Sequence, residues 1–198
     1  MLNAKTVFVL TPHPDDLEIG CGGTVARLIE EGAKVCSIVF CKPGDRDKEM
    51  IAAGRVFGIQ KYFNLNLTIR NLEKNRQGIL DLLLRLRNKH NPDLVIQPSL
   101  SDIHQDHQTV ANEGLRAFKG TTILGYEALW NNMNFESQMF VKLDKRHIEK
   151  KIKAAACYRT QADKPYMDEG FFWSLATVRG VQVGVDFAEV FNVVRMVV

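Results

Sequence analysis

Short apolar runs alternate with amphipathic segments along the first half of the chain. After each strand-length run, apolar residues recur every three to four positions, the spacing of one helix face. The predicted strands are residues 7–10, 35–41, 62–65 and 94–97. The predicted helices are residues 24–31, 48–57 and 72–90, which end at Gly32, Gly58 and Asn91-Pro92. This alternation predicts an α/β fold with a mostly parallel sheet and helices on both faces.

The handedness of the connections between parallel strands limits the possible strand orders. Right-handed crossovers favour the strand order 3-2-1-4-5 for the first five strands. Beyond residue 121 the pattern is less regular, with strands predicted at residues 122–126, 139–143 and 190–197 and a helix at 145–157 capped by Asp144. The chain has no internal repeat, low-complexity stretch or linker. Residues 1–198 are therefore predicted to form a single domain.

Two polar clusters follow the first and fourth predicted strands. Residues 11–18 read Thr-Pro-His-Pro-Asp-Asp-Leu-Glu, and residues 101–107 read Ser-Asp-Ile-His-Gln-Asp-His. In the predicted order these two strands are neighbours where the order reverses, which is where open α/β sheets bind ligands at the carboxyl ends of their strands. Imidazole and carboxylate groups together favour zinc or a similar ion, and three protein ligands leave a position for water. The sequence therefore indicates a catalytic metal site.

Single residues of these clusters have simpler explanations. A lone histidine at a strand end is usually structural, and an aspartate pair often only caps a helix. Gly20, Gly22 and Gly23 could also suggest a dinucleotide-binding loop, but the third glycine of that motif would fall at Val25. Acidic residues just before this stretch would repel a pyrophosphate. The joint placement of both clusters favours the metal site, and the glycines are interpreted as allowing close packing of the helix start.

Composition excludes several other classes of protein. Of the 198 residues 45% are hydrophobic and 25% charged, with a net charge of +3, as in ordinary globular proteins and without the basic excess of a nucleic-acid-binding protein. No apolar run approaches the roughly 20 residues of a membrane span, and residues 1–5 lack the pattern of a signal peptide. The cysteines form no C-x-x-C pair and suit a reducing compartment, which predicts a cytoplasmic protein.

The first cluster carries a resemblance to a known family. Residues 13–24, His-Pro-Asp-Asp-Leu-Glu-Ile-Gly-Cys-Gly-Gly-Thr, resemble the signature of the zinc-dependent, LmbE-like or PIG-L-like de-N-acetylases, which include N-acetylglucosaminyl-phosphatidylinositol deacetylase and the mycothiol and bacillithiol pathway deacetylases. Residues 104–107 are similar to the family's H-x-D-H motif. Weaker similarities are R-x-x-E at 46–49, K-x-x-A…S-Q at 153–161 with Thr160 replacing serine, and R-G…G-x-x-Y-A-E-x-F at 179–191 with Phe187 replacing tyrosine.

The resemblance implies a Rossmann-like three-layer sandwich with the metal site at the carboxyl ends of strands 1 and 4. It implies a zinc ion held by His13, Asp16 and His107. Fe²⁺ or another divalent ion is the alternative cofactor.

The resemblance also implies the roles of other site residues. Asp15 is expected to be the general base, His104 to face the substrate carbonyl, and Asp106 to orient His104. Arg46 is expected to contact the sugar or its substituent. Some members have an oxyanion-stabilising tyrosine two residues before the H-x-D-H motif, where this chain has Asp102, so that role is expected to be vacant or filled by another group.

The expected reaction is metal-dependent hydrolysis of the N-acetyl group of an amino sugar or its conjugate. The alternatives are hydrolysis of another amide on the same scaffold and a non-catalytic protein that binds sugar or metal. An aspartate beside the metal argues against a pure binder. Trp130 and the aromatic run 171–173 are interpreted either as sugar-stacking side chains or as core or interface residues, which leaves a homo-oligomer open.

Overall fold

The computed structural model describes residues 4–42, 44–59 and 61–197, which form a seven-stranded sheet between two layers of helices. The strands are β1 (Thr6–Thr11), β2 (Lys34–Cys41), β3 (Lys61–Leu67), β4 (Leu94–Pro98), β5 (Thr122–Tyr126), β6 (Met139–Leu143) and β7 (Phe187–Arg195). The helices are α1 (Asp16–Glu30), α2 (Asp47–Phe57), α3 (Arg76–His90), α4 (Gln105–Ala117), α5 (Lys145–Ala155) and α6 (Glu169–Val181). The first three residues, which belong to the segment considered for a signal peptide, lie outside the described ranges.

The strand order is β3-β2-β1-β4-β5-β7-β6, which confirms the order predicted for the first five strands. Those five strands are parallel, whereas β7 runs antiparallel to β5 and to β6. Val7 of β1 pairs with Val35 on one side and Leu94 on the other. The carboxyl ends of β1 and β4 therefore meet at one edge of the sheet.

Successive residues of β1 contribute to two different cores. Val7 and Val9 pack with α1, α2, α5 and α6, whereas Phe8 and Leu10 pack with α3 and α4. Because helices cover both faces, these strands are apolar at nearly every position instead of alternating with polar residues. This arrangement confirms the predicted three-layer sandwich.

Helix α1 differs from the prediction because it begins at Asp16 rather than at residue 24. Glycine is a poor helix former, but packing overrides that preference here. A Cβ atom at Gly20 would lie only 2.4 Å from the ring of Tyr126, so the helix can approach β5 this closely only without a side chain. The expectation of close packing at the helix start is thus confirmed for Gly20.

A break at Cys21 divides α1, since its backbone angles (φ −147°, ψ 19°) are not helical. The carboxylate of Glu189 accepts hydrogen bonds from the backbone of Gly23 (2.9 Å) and Thr24 (2.7 Å) just after the break. The ammonium of Lys151 donates to the same carboxylate at 2.6 Å. The buried glutamate of the closing motif therefore caps the second half of α1, a structural role.

The second half of the chain departs further from the prediction. Helix α6 was not predicted, because its Phe-Phe-Trp and Thr-Val segments consist of residue types that favour strands. In the structure Phe172, Ala176 and Gly180 form the buried face of this helix. Strand β7 begins three residues earlier than predicted and α5 ends two residues earlier. A separate 3-10 turn, Leu72–Asn75, precedes α3. Across the described residues, no helix has the length and apolar character needed to cross a membrane.

A substitution at Gly180 tests how closely α6 packs against the turn before β7. A Cβ atom there would lie 2.6 Å from the carbonyl oxygens of Val185 and Asp186, so we expect Gly180→Ala to lower the free energy of unfolding by about 1–3 kcal/mol. Gly78 in α3 has no heavy atom within 4 Å of such a Cβ, and Gly78→Ala should raise stability by about 0.5–1 kcal/mol. Urea unfolding of both variants measures the difference, and equal changes would contradict this account of α6.

Candidate metal centre

The loop between β1 and α1 carries three of the predicted site residues, and all three are buried. The backbone N–H of His13 donates to Oδ2 of Asp16 at 2.7 Å, so the first residue of the helix folds its carboxylate back over the loop. Asp15 lies between them, directly before the helix. The short sequence between strand and helix therefore brings an imidazole and two carboxylates together.

The loop after β4 places the second cluster opposite the first. The backbone N–H of His104 donates to Asp102 at 2.8 Å, and Nδ1 of His104 accepts from the backbone of Asp106 at 3.1 Å. His104 is thus the N-cap of α4, which begins at Gln105. His107 lies in the first helical turn, and its ring reaches towards α1.

Three ligand-type atoms form a compact triangle between the two loops. Nδ1 of His13 lies 3.3 Å from Oδ2 of Asp16 and 3.3 Å from Nε2 of His107. The third side, between Nε2 of His107 and Oδ2 of Asp16, is 3.4 Å. Zinc bonds of about 2.0–2.2 Å at the tetrahedral angle separate ligand atoms by about 3.3–3.6 Å. The triangle therefore fits a single tetrahedral ion.

A second group of donors, His13, His104 and Asp106, also lies within 4.8 Å. In this group Asp106 is already engaged, because its carboxylate accepts from the backbone of Arg70 at 2.7 Å and of Leu72 at 3.4 Å. Asp16 also accepts a backbone hydrogen bond, so the triangle is favoured instead by its three sides of 3.3–3.4 Å, which match the ligand separations of a tetrahedral ion.

Each histidine of the triangle has a buried carboxylate behind its other ring nitrogen. Nε2 of His13 lies 3.1 Å from Asp106, and Nδ1 of His107 lies 2.7 Å from Asp102. Such partners fix the tautomer and orientation of a metal-binding imidazole. This role of Asp102 could not be predicted from the sequence, because no local pattern marks a residue whose partner is set by the folded loop.

The carboxylates around His13 and His107 favour a bound cation. Burial opposes protonation of His13, but the carboxylates of Asp16 and Asp106 outweigh it and raise its pKa to about 12. The same balance, with Asp16 and Asp102 as partners, raises the pKa of His107 to about 9. Both shifts have the same cause, the negative charge of the surrounding carboxylates, which favours a positive charge between the two imidazoles. A divalent ion would supply the positive charge and leave both imidazoles neutral.

Asp15 lies beside the triangle without forming part of it. Burial and the charge of Asp16 raise its pKa, and Arg46 opposes that shift. The guanidinium of Arg46 donates to Oδ1 of Asp15 at 3.2 Å. Arg46, expected from the sequence to contact the sugar, thus also contacts the expected general base.

His104 corrects one expectation. We expected the carboxylate of Asp106 to orient His104, but that carboxylate faces His13, and His104 receives only the backbone N–H of Asp106. The reason is the helix start: an N-cap side chain bonds to the backbone two or three residues ahead. A neutral His104 whose Nδ1 accepts this bond carries its proton on Nε2. Partial burial and the neighbouring His107 and His13 lower its pKa, which favours that neutral form.

Two stacked aromatic side chains lie near the loop from His13 to Asp16, which is called the metal loop below. Trp130 stacks on Tyr166 with ring centroids 4.0 Å apart, and the carboxylates of Asp15 and Asp16 add to partial burial in raising the pKa of Tyr166. This stacked pair therefore lies near the metal loop. By contrast, Phe172 is buried, and Trp173 packs against the core formed with α1, α2, α5 and α6. These two side chains therefore fit the interpretation of the aromatic run as core residues.

Comparison with known proteins agrees with the motifs. Residues 8–118 match the family model described as PIG-L: GlcNAc-PI de-N-acetylase. The chain is 26% identical over 163 residues to an uncharacterized deacetylase, YaiS, of Escherichia coli (strain K12), covering 76% of this chain and 88% of the relative.

Sugar deacetylases are among the similar proteins. A diacetylchitobiose deacetylase of Thermococcus kodakarensis is 25% identical over 133 residues, or 58% of this chain and 49% of the relative. The structure of the N,N'-diacetylchitobiose deacetylase from Pyrococcus horikoshii superimposes with a TM-score of 0.82 at 24% identity, covering 96% of this chain and 84% of that one. This structural likeness shows a shared fold.

The two carboxylates behind the histidines can be tested separately from His104. We expect Asp102→Asn and Asp106→Asn each to weaken metal binding by about 10–100-fold, because each leaves a ligand imidazole without its carboxylate. His104→Asn keeps an N-cap oxygen and should bind metal nearly as wild type does. Competition with a chromophoric chelator gives the affinities, and Asp81→Asn on the surface of α3 is the matched control. A loss at His104 as large as at Asp106 would favour the second donor group.

Proposed function

The chain belongs to the PIG-L family of deacetylases, and from this premise we propose that it is a metal-dependent amidohydrolase that removes the N-acetyl group of an amino sugar or its glycoconjugate. The observation that carries the proposal is the triangle of His13, Asp16 and His107 with a separate carboxylate, Asp15, beside it. A protein that only binds a metal has no use for a second carboxylate next to the ion.

The triangle would hold one divalent cation, zinc or Fe²⁺. Such an ion supplies Lewis-acid activation of the amide carbonyl and of water. Two imidazoles and one carboxylate form a ligand set typical of catalytic zinc sites.

Asp15 is the proposed general base. Its carboxylate accepts the proton of the attacking water and is suited to this role because burial and Asp16 raise its pKa. The hydrogen bond from Arg46 holds the carboxylate in place and limits that rise.

His104 is the proposed donor to the oxygen of the acetyl group. The cap bond from Asp106 leaves the proton of a neutral His104 on Nε2, so the ring can donate a hydrogen bond to the negative charge that develops on the carbonyl oxygen. The proton that Asp15 has accepted from water then reaches the leaving amine, either directly from Asp15 or through His104 as that ring gives up one proton and takes up the other.

The aromatic pair Trp130 and Tyr166 supports a sugar as the substrate. A stacked pair beside a metal site offers the flat apolar surface against which pyranose rings pack. The deacetylases of chitobiose among the similar proteins point to the same substrate class. Hydrolysis of another amide on this scaffold is the second candidate, and the assay below distinguishes the two.

The function is tested with a panel of N-acetylated compounds. We expect acetate to be released from at least one of N-acetylglucosamine, diacetylchitobiose, a sugar nucleotide and an N-acetylglucosaminide, with about one zinc or iron ion per chain in the same sample. Release from a simple non-sugar amide alone would favour the second candidate. Full activity in metal-free protein would overturn the metal-dependent mechanism.

Asp15→Asn separates catalysis from metal binding. The variant is nearly isosteric and leaves Asp16 unchanged, so it should keep its metal while turnover falls by about 10²–10⁴-fold. Asp16→Asn is the comparison, because it removes a ligand and should lose the metal as well. Turnover and metal content are measured on both proteins. A metal-loaded Asp15→Asn protein with wild-type turnover would show that another group is the base.

A further inference from the structure

The segment between α5 and α6 connects two parts of the proposed active site. It contains Tyr158, at the end of the turn after α5, and Thr160, in the 3-10 turn Arg159–Gln161. Tyr158 reaches the loop that carries Asp15, and Thr160 reaches α2 close to Arg46. This segment holds the T-Q end of the K-x-x-A motif, for which the proposed mechanism gives no role.

The inner end of the segment is a buried hydrogen bond. Tyr158 is 1% exposed, and its hydroxyl donates to the carbonyl oxygen of Pro14 at 2.5 Å. The same hydroxyl lies 3.3 Å from Oε2 of the buried Glu18. Proline has no N–H of its own, so the backbone of the metal loop has one fewer anchor at this point. The phenol thus holds the peptide that joins Pro14 to Asp15.

The outer end of the segment is held by a pair of hydrogen bonds. The carboxylate of Glu49, in the first turn of α2, accepts one bond from the backbone N–H of Thr160 at 3.0 Å and one from its hydroxyl at 2.6 Å. Glu49 is the last residue of the R-x-x-E motif whose first residue is Arg46. The two supporting motifs therefore meet, and their contact ties the segment to the helix beside the site.

We propose that Tyr158 is a positioning residue that sets the place of Asp15 and Asp16, and that the Thr160–Glu49 contact holds Tyr158 in register. The catalytic part of this inference rests on the proposed function of Asp15. The positioning part concerns only the geometry of the loop from His13 to Asp16.

The positioning depends on the hydroxyl of Tyr158 and not on its ring, because a phenylalanine ring would fill the same space without forming the hydrogen bond. Loss of this bond leaves a carbonyl next to the expected base without its protein partner and frees the loop to shift. Misplacement of a reacting group by about 1 Å can cost up to about 10²-fold in rate. Weakened support of metal ligands typically costs about 10–100-fold in metal affinity. A role limited to stability would move neither quantity in the folded protein.

The experiment compares two tyrosine variants of matched chemistry. Tyr158→Phe removes the bonded hydroxyl, whereas Tyr62→Phe removes a buried hydroxyl for which no hydrogen-bond partner is found among the described residues. Chelator-treated full-length protein is titrated with Co²⁺, followed by its visible spectrum, and turnover is measured at saturating metal. We expect Tyr158→Phe to bind Co²⁺ about tenfold more weakly and to turn over about tenfold more slowly, and Tyr62→Phe to match wild type in both.

Thr160 provides a graded second test. Thr160→Val removes the hydroxyl at nearly constant volume and should shift both measurements in the same direction by about threefold, less than Tyr158→Phe because the bond is exposed. Thr160→Ser keeps the hydroxyl and should restore wild-type values. Because both variants act through one segment, the double variant with Tyr158→Phe should lose less than the product of the single losses.

The outcomes separate this inference from the proposed function. Tyr158→Phe and Tyr62→Phe proteins with the same Co²⁺ affinity and turnover would overturn the positioning role, even if wild type is an active deacetylase. A wild type that releases no acetate, combined with weakened Co²⁺ binding in Tyr158→Phe alone, would overturn the proposed function and support the positioning of the loop.

Discussion

The parallel pairing of β1 with β4 is the constraint on which the site depends. His13 and His107 are separated by more than ninety residues, yet their ring nitrogens lie 3.3 Å apart because the two strands end at the same edge of the sheet. Neither loop alone holds the three donors of the triangle. Both cores contribute to this result, since residues on the two faces of β1 are buried between helices and hold the strand in register.

The site also shows how a fold accommodates several buried carboxylates. Asp16 faces the triangle, while Asp102 and Asp106 each contact the far side of a histidine. A buried negative charge is costly unless it is paired or coordinates a metal. Metal binding at the triangle would therefore depend on the local structure, because the same carboxylates that orient the imidazoles also favour a cation between them. Asp15 differs from these three in contacting Arg46.

The fold of this chain is shared with the N,N'-diacetylchitobiose deacetylase from Pyrococcus horikoshii although only 24% of the residues are identical. The stacked side chains Trp130 and Tyr166 lie in a turn and a 3-10 turn, outside the strands and helices that carry the triangle. Under the proposed function, the choice of sugar would depend on these two segments and not on the metal centre.

Sequence by itself determined the central part of the structure. Apolar runs and helix-stop residues placed β1, β2, β4 and β5, and crossover handedness placed them in order, because burial on both faces leaves a clear pattern. The two polar clusters could be located for the same reason, since they follow strands whose ends had to meet, and motif resemblance selected His13, Asp16 and His107 from them as the expected ligands. Motif resemblance supplied the roles proposed for Asp15, His104 and Arg46.

Only the tertiary structure decided the features that depend on contacts between distant residues. The start of α1 follows from the close approach of Tyr126 to Gly20, which outweighs the low helix propensity of glycine. The partner of Asp106 is His13 and not its neighbour His104, because the backbone at the start of α4 takes up the ring nitrogen of His104. Asp102 and Tyr158 show no distinctive local pattern, since each acts through a hydrogen bond whose geometry exists only once the chain has folded.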